Sequence, residues 1–335
     1  MDFDTSAIWA VIIFFAVFMY VVLDGFDLGI GMLYPFVKGR RERDIMMNTV
    51  APVWDGNETW LVMGGVGLLA AFPVAYAIIL SGLYLPLIFM LVGLIFRGVA
   101  FEFRFKANDR ERPIWDVAFI GGSVTAAFFQ GVSLGAFLSG IPVSGRSHAG
   151  GPLDWLAPFP LAAGFGVMIA YTLLGATWLV MRTEGDLQQR MVRLARPCGM
   201  ALLAAIGVVS LWTPLTQHQV AERWFSFPNM LLLSPVPLLV GGAFILLLRS
   251  LKRDPYRMPF VAALALVLLG FTGMAISIWP HIVPPAITIW EAASPPLTQQ
   301  FTLVGALIVL PLVLMYTVWS YYVFRGKVSS SEGYH

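Results

Sequence analysis

Nine apolar stretches run along this chain, and nearly every basic residue falls in alternate gaps between them. Few folds accept that pattern. An apolar helix of about 20 residues crosses the hydrocarbon core of a bilayer. Stretches near 7–36, 51–72, 75–103, 115–139, 158–181, 198–216, 229–250, 257–279 and 299–324 therefore predict an all-α, polytopic membrane protein with about nine transmembrane helices. Only 12% of the residues are charged and the mean hydropathy is +0.78; a soluble domain carries about 25% charged residues.

The charges orient the spans. Lys38, Arg40, Arg41 and Arg43 follow the first. Arg104, Lys106, Arg110 and Arg112 follow the third, and Arg182, Arg190, Arg193 and Arg196 the fifth. Arg249, Lys252, Arg253 and Arg257 lie after the seventh, Arg325 and Lys327 after the ninth. These are 18 of the 21 Lys and Arg; Arg146 and Arg223 lie in the other gaps, and Arg97 lies inside a span. By the positive-inside rule the N-terminus is outside and the C-terminus cytoplasmic, and the acidic start, Asp2 and Asp4, agrees. With the bases assigned to topology, the net charge of +2 does not point to nucleic acid. The first span lacks a basic flank and runs too long for a cleavable signal. The one cysteine, Cys198 beside Pro197 at an expected cytoplasmic helix start, allows no internal disulfide and reads as packing.

Short gaps leave no room for a soluble domain. Residues 1–328 are expected to form a single integral-membrane helical domain, and residues 329–335 a flexible cytoplasmic tail. Spans two and three are joined by a tight turn at Phe72 and Pro73. Spans one to four carry most of the polar intramembrane residues, so two four-helix bundles plus one peripheral helix are expected. Gly25 with Gly29, and Gly131 with Gly135, have the spacing that lets membrane helices approach closely. Gln130, Ser123 and Thr125 are expected to hydrogen-bond across helices.

The informative residues are ionisable groups inside the spans: Asp24 and Asp27 in the first, Asp55 and Glu58 in the second, Arg97 in the third. Each such charge costs at least about 2.5–3.5 kcal/mol at a bilayer centre. Each acid pair is spaced three residues apart, on one helix face. Counted from the predicted cytoplasmic ends at about 1.5 Å per residue, Asp55, Arg97 and Glu58 lie about 6, 9 and 10 Å deep, Asp27 and Asp24 about 14 and 18 Å. All five fall in the cytoplasmic half. A set of carboxyls at graded depth is suited to passing protons, with Arg97 as charge partner. The competing reading is structural: Asp27 or Asp55 pairs with Arg97, or Asp55 caps the second helix. One arginine cannot neutralise four acids, which favours the proton path. His148, His218, His281 and His335 lie in or beside loops or at the end of the chain, so no haem iron or other metal is expected to be ligated by this chain, its 15 Met reading as packing.

Three motifs carry a resemblance. Leu23-Asp24-Gly25-Phe26-Asp27-Leu28-Gly29-Ile30-Gly31 resembles the DGFDxGxG signature of subunit II of cytochrome bd-type quinol oxidases. Ala51-Pro52-Val53-Trp54-Asp55-Gly56-Asn57-Glu58-Thr59-Trp60-Leu61 is similar to that family's WDGNxxWL signature, and Phe96-Arg97 to its FR pair. Glu58 stands where many members have Gln; with the short loops this resembles the cyanide-insensitive branch. The resemblance implies a subunit of a quinol:oxygen oxidoreductase with no catalytic residue of its own. It pairs with a haem-bearing subunit I that holds b-type and d-type haems and oxidises quinol, ubiquinol being the expected substrate. It also implies a small single-helix subunit as a further partner, lipid and quinol contacts, residence in the bacterial cytoplasmic (inner) membrane, and a proton route at Asp55 and the Asp24/Asp27 region. Two alternatives stand beside it: a proton-coupled secondary transporter, which intramembrane acids fit equally but which lacks a broken helix pair here, and a purely structural partner subunit.

Overall fold

The structure, a computed structural model, describes residues 4–253 and 255–328; the expected tail at 329–335 lies outside them. Helix α1 (Thr5–Leu33) is capped by Asp4, whose carboxylate accepts the Ala7 N–H, and is extended by a 3-10 turn at Tyr34–Phe36. Then come α2 (Arg40–Asn48), α3 (Trp54–Ala71), α4 (Pro73–Lys106) and α5 (Arg112–Ser139). A two-stranded hairpin, β1 (Val143–Ser144) with β2 (Ser147–His148), leads to α6 (Pro158–Arg182) and α7 (Gly185–Thr216). Next are α8 (His218–Phe225), α9 (Asn229–Leu233), α10 (Pro235–Arg253) and α11 (Met258–Ile278). A second hairpin, β3 (His281–Val283) with β4 (Ile287–Thr288), precedes α12 (Pro296–Val323).

Among the described residues, eight helices are long and apolar enough to cross a membrane. The expected second span, α3, is the one left out. Its first turns carry Asp55, Asn57 and Glu58, which lower its hydropathy, and its 18 residues reach about 27 Å. Helix α2 is short and arginine-rich and lies outside every apolar stretch. Helix α7 begins at Gly185, ahead of the span expected at 198–216, which places Pro197 and Cys198 inside that helix rather than at its start.

Helices α1, α3, α4 and α5 pack as one group, and α6, α7, α10 and α11 as a second; α6 lies on both α1 and α5 and joins them. Helix α12 touches α3 and α1 and buries only Gln299 and Thr317 fully. Contact between apolar helices in lipid depends on close packing, and glycines set it. A Cβ on Gly29 would come within 1.9 Å of the Tyr171 carbonyl oxygen, so α1 and α6 cross backbone to backbone there, against Gly175. Gly93 and Gly122 make the same approach between α4 and α5. Helix α3 packs on both α1 and α4, which brings the polar residues of the three helices together.

Candidate functional site: a buried acid cluster on Arg97

Helix α1 presents Tyr20, Asp24 and Asp27 at four- and three-residue spacing, along one face. All three are buried. Helix α4 sends Arg97, fully buried, into the same space. Its Nη2 donates to Asp24 Oδ1 at 2.7 Å and also to Glu58 Oε1. Its Nη1 lies 4.0 Å from Asp27 Oδ2. The stacked rings of Trp54 and Phe101 wall the guanidinium, with centroids 5.7 and 5.9 Å away. One cation thus faces three carboxyls. With all three ionised the group would carry two uncompensated negative charges, so a neutral cluster holds two protons.

Neutral partners extend the cluster both ways. Asn57 donates from Nδ2 to Asp27 Oδ2 at 2.7 Å, and its Oδ1 accepts the Tyr321 hydroxyl at 2.9 Å. On the other side Tyr20 adjoins Asp24 and accepts from Gln130, which in turn accepts the Tyr171 hydroxyl. Helices α1, α3, α4, α5, α6 and α12 all contribute. Four buried atoms, Asp24 Oδ2, Asp27 Oδ1, Arg97 Nε and Arg97 Nη1, make no hydrogen bond among the described residues. Unsatisfied buried groups are costly, and a polar site of this kind is where buried water binds.

Four of the five ionisable residues read from the sequence therefore meet: Asp24, Asp27, Glu58 and Arg97. Asp55 does not join them. It is exposed on the outer side of α3, three residues before the half-buried Glu58, whose side chain is 30% exposed. Asp55 neither pairs with Arg97 nor caps α3, whose N-cap is Val53. The sequence reading missed Asn57, Tyr20 and Tyr321. Tyr20 sits one turn before Asp24 and was legible; Tyr321, 264 residues from its partner, was not. Gln130 does bridge helices, whereas the buried Ser123 hydroxyl has no partner among the described residues.

A second buried ion group lies further along α4. Arg104 donates to Asp116 on α5 and, at 2.6 Å, to Asp44 on α2. Arg43 donates to Asp116 at 2.8 Å and to the Val37 carbonyl. Both guanidinium groups lie over the Tyr34 ring, at 5.5 and 5.6 Å. This group pins α2 across α4 and α5. Among the described residues no set of three or more His, Cys, Asp or Glu side chains is placed to hold a metal ion.

Comparison with known proteins matches this architecture. The chain is 30% identical, over an alignment of 362 positions, to cytochrome bd-I ubiquinol oxidase subunit 2 of Escherichia coli strain K12, with 97% of this chain and 95% of that protein covered. It is 29% identical to cytochrome bd ubiquinol oxidase subunit 2 of Bacillus subtilis, with 97% of each covered. The fold is similar to a chain of the bd oxidase from Geobacillus thermodenitrificans, with a TM-score of 0.75 at 17% identity over 96% of this chain and all of that one. Residues 5–324 match the family model described as cytochrome bd terminal oxidase subunit II, and the chain belongs to that family.

Proposed function

We propose that this chain conducts protons to the oxygen-reducing centre of its partner. Family membership makes it subunit II of a bd-type quinol oxidase, a subunit of a quinol:oxygen oxidoreductase. The partner is then subunit I, carrying the b-type and d-type haems and oxidising ubiquinol, as the relatives' names suggest for the substrate. On this reading the chain ligates no haem, lies in the bacterial inner membrane as one domain over residues 1–328 with its N-terminus outside, and α3 counts as a ninth span. A small single-helix subunit would complete the complex.

The observation that carries the reading is the imbalance at Arg97. Reduction of oxygen to water consumes protons, and a cluster with more carboxyls than cations can gain and lose them without a net ion pair being broken. Asp55 and Glu58 share the outer side of α3, where another chain could receive a proton from them. The test uses the purified two-subunit complex carrying Asp55→Asn or Glu58→Gln. Intact haem absorption with slowed oxygen reduction and slowed proton uptake is expected. Full activity with normal uptake would leave this chain a structural partner; loss of haem absorption would make these acids structural.

A further inference from the structure

Where the end of α6 meets the start of α11 and the end of α12, the protein encloses a pocket of about 200 Å3. Arg182, Arg257 and Arg325 line it, together with Thr49, Trp178 and Tyr321. All three arginines belong to the basic gaps that the charge pattern assigns to the cytoplasm. Three guanidinium groups suit the pocket to water, and its volume has room for several molecules.

The inner wall is aromatic. Phe26 stacks on Trp178 with centroids 4.2 Å apart, and Tyr321 meets both rings edge-on at 6.4 and 6.0 Å. Asp27 follows Phe26 directly in α1, behind that wall. The polar edge of Trp178 is engaged elsewhere, its indole N–H donating to Thr49 Oγ1 at 3.3 Å. The Tyr321 hydroxyl is what connects the wall to the acid cluster: it donates to Asn57, and Asn57 donates to Asp27 Oδ2. That leaves Asp27 Oδ1, buried and without a partner among the described residues, as the oxygen open to water.

We propose that protons reach Asp27 from this pocket, through water ordered at the Tyr321 hydroxyl, with Tyr321 and Asn57 as positioning residues. An amide is a poor proton carrier, so Asn57 orients rather than relays: it occupies one Asp27 oxygen and leaves the other to accept. A water at the Tyr321 hydroxyl gives a proton to the Asp27 carboxylate, which becomes the acid, and that water regains a proton along the water chain from the cytoplasmic solvent. Only O–H bonds form and break. The groups facing Asp27 are Asp24 from its own helix, Glu58 and Asn57 from α3 and Arg97 from α4, with Tyr321 from α12 bonded to Asn57. The cluster then has two openings, the pocket for uptake and the outer side of α3, at Glu58 and Asp55, for delivery. This places Asp55 at the far end of the path rather than at its start. The inference rests on the proton-conducting reading above and goes further by assigning the inlet.

The experiment compares three arms in the two-subunit complex, with Cys198→Ser as background. The first is Tyr321→Phe, which keeps the ring and removes the hydroxyl. The second is Phe324→Cys at the exposed edge of the pocket, with the pocket then filled by a bulky charged thiosulfonate reagent. The third is Asp27→Asn. For Tyr321→Phe, oxygen reduction is expected to slow about tenfold, the scale of one lost hydrogen bond. The solvent deuterium isotope effect should rise while haem absorption stays unchanged. Labelled Phe324→Cys should lose activity in proportion to labelling, and unlabelled Phe324→Cys should not. If Asp27→Asn slows proton uptake but the pocket arms change neither rate nor isotope effect, the inlet lies elsewhere and the proton-conducting reading survives. If Asp27→Asn is also without effect, both fall. If Tyr321→Phe only lowers yield, the filled-pocket arm decides alone.

Discussion

Arg97 and Arg104 stand two turns apart on α4, both buried, both flanked by aromatic rings and acids, yet their surroundings differ in one respect that decides their roles. Arg104 binds Asp44 and Asp116 and shares Asp116 with Arg43, two cations to two carboxylates, and each acid is bonded. Among the described residues Arg97 is the one cation that faces Asp24, Asp27 and Glu58. The balanced group needs no proton to be neutral and acts as a clamp. The unbalanced one is neutral only when protons join it. On the proposed reading, charge stoichiometry, rather than burial or the presence of arginine, separates a fastening from a proton site.

The largest expected effect tests whether Arg97 is also a fastening. Arg97→Gln leaves three carboxyls with no cation and should cost about 3–5 kcal/mol or more, as breaking a buried ion pair does. The yield of detergent-purified complex and its haem absorption would show it; a stable, fully active variant would break the comparison. Arg104→Gln should cost a similar or smaller amount, about 3 kcal/mol, because Arg43 still holds Asp116. It should lower the thermal midpoint without changing the solvent isotope effect of turnover, and a changed isotope effect would erase the distinction between the two groups. Asp24→Asn removes a charge from the overloaded side. Its cost in stability should be within about 1 kcal/mol, because the amide still accepts from Arg97, while proton uptake by the complex falls; unaltered uptake with lowered stability would move Asp24 to the fastening class.

The smallest effect lies at the start of α1, outside both groups. The Trp290 indole N–H, and then the Ala7 N–H, donate to the Asp4 carboxylate and hold it below its ordinary value of 3.8. A lowered value in the folded state stabilises above the unfolded value and is lost as pH falls through the folded one. Asp4→Ala should therefore lower the thermal midpoint slightly near neutral pH, by about 1 kcal/mol or less for an exposed cap. The difference should vanish once Asp4 is protonated in the parent protein, a trend visible in melting curves taken across acidic pH.

The legible part of this site followed helix periodicity. Asp24 and Asp27 were expected on one face, and Arg97 at a depth where it could reach them, and they do meet. Periodicity also put Asp55 and Glu58 together on α3, which is correct, but it could not say how far that face turns toward α1. Glu58 reaches Arg97 and Asp55 does not, while Asn57, next along the same helix, turns inward to Asp27. Helix α2 escaped notice because its stability comes from the Arg43, Asp44 and Asp116 bonds to other helices, not from an apolar run.

By itself the sequence determined that the chain crosses a membrane many times, which residues must lie at membrane depth, and that acids outnumber bases there. These follow from hydropathy, rise per residue and charge, which are local. Tertiary structure alone decided which acids share Arg97, that Asp55 stands outside the cluster, and that Tyr321 closes the line from a basic pocket to Asp27. Those outcomes depend on how helices rotate against one another. The rotation is set by backbone contacts such as Gly29 on Gly175 and Gly93 on Gly122, between residues about 30 to 150 positions apart. No spacing within one helix carries that information.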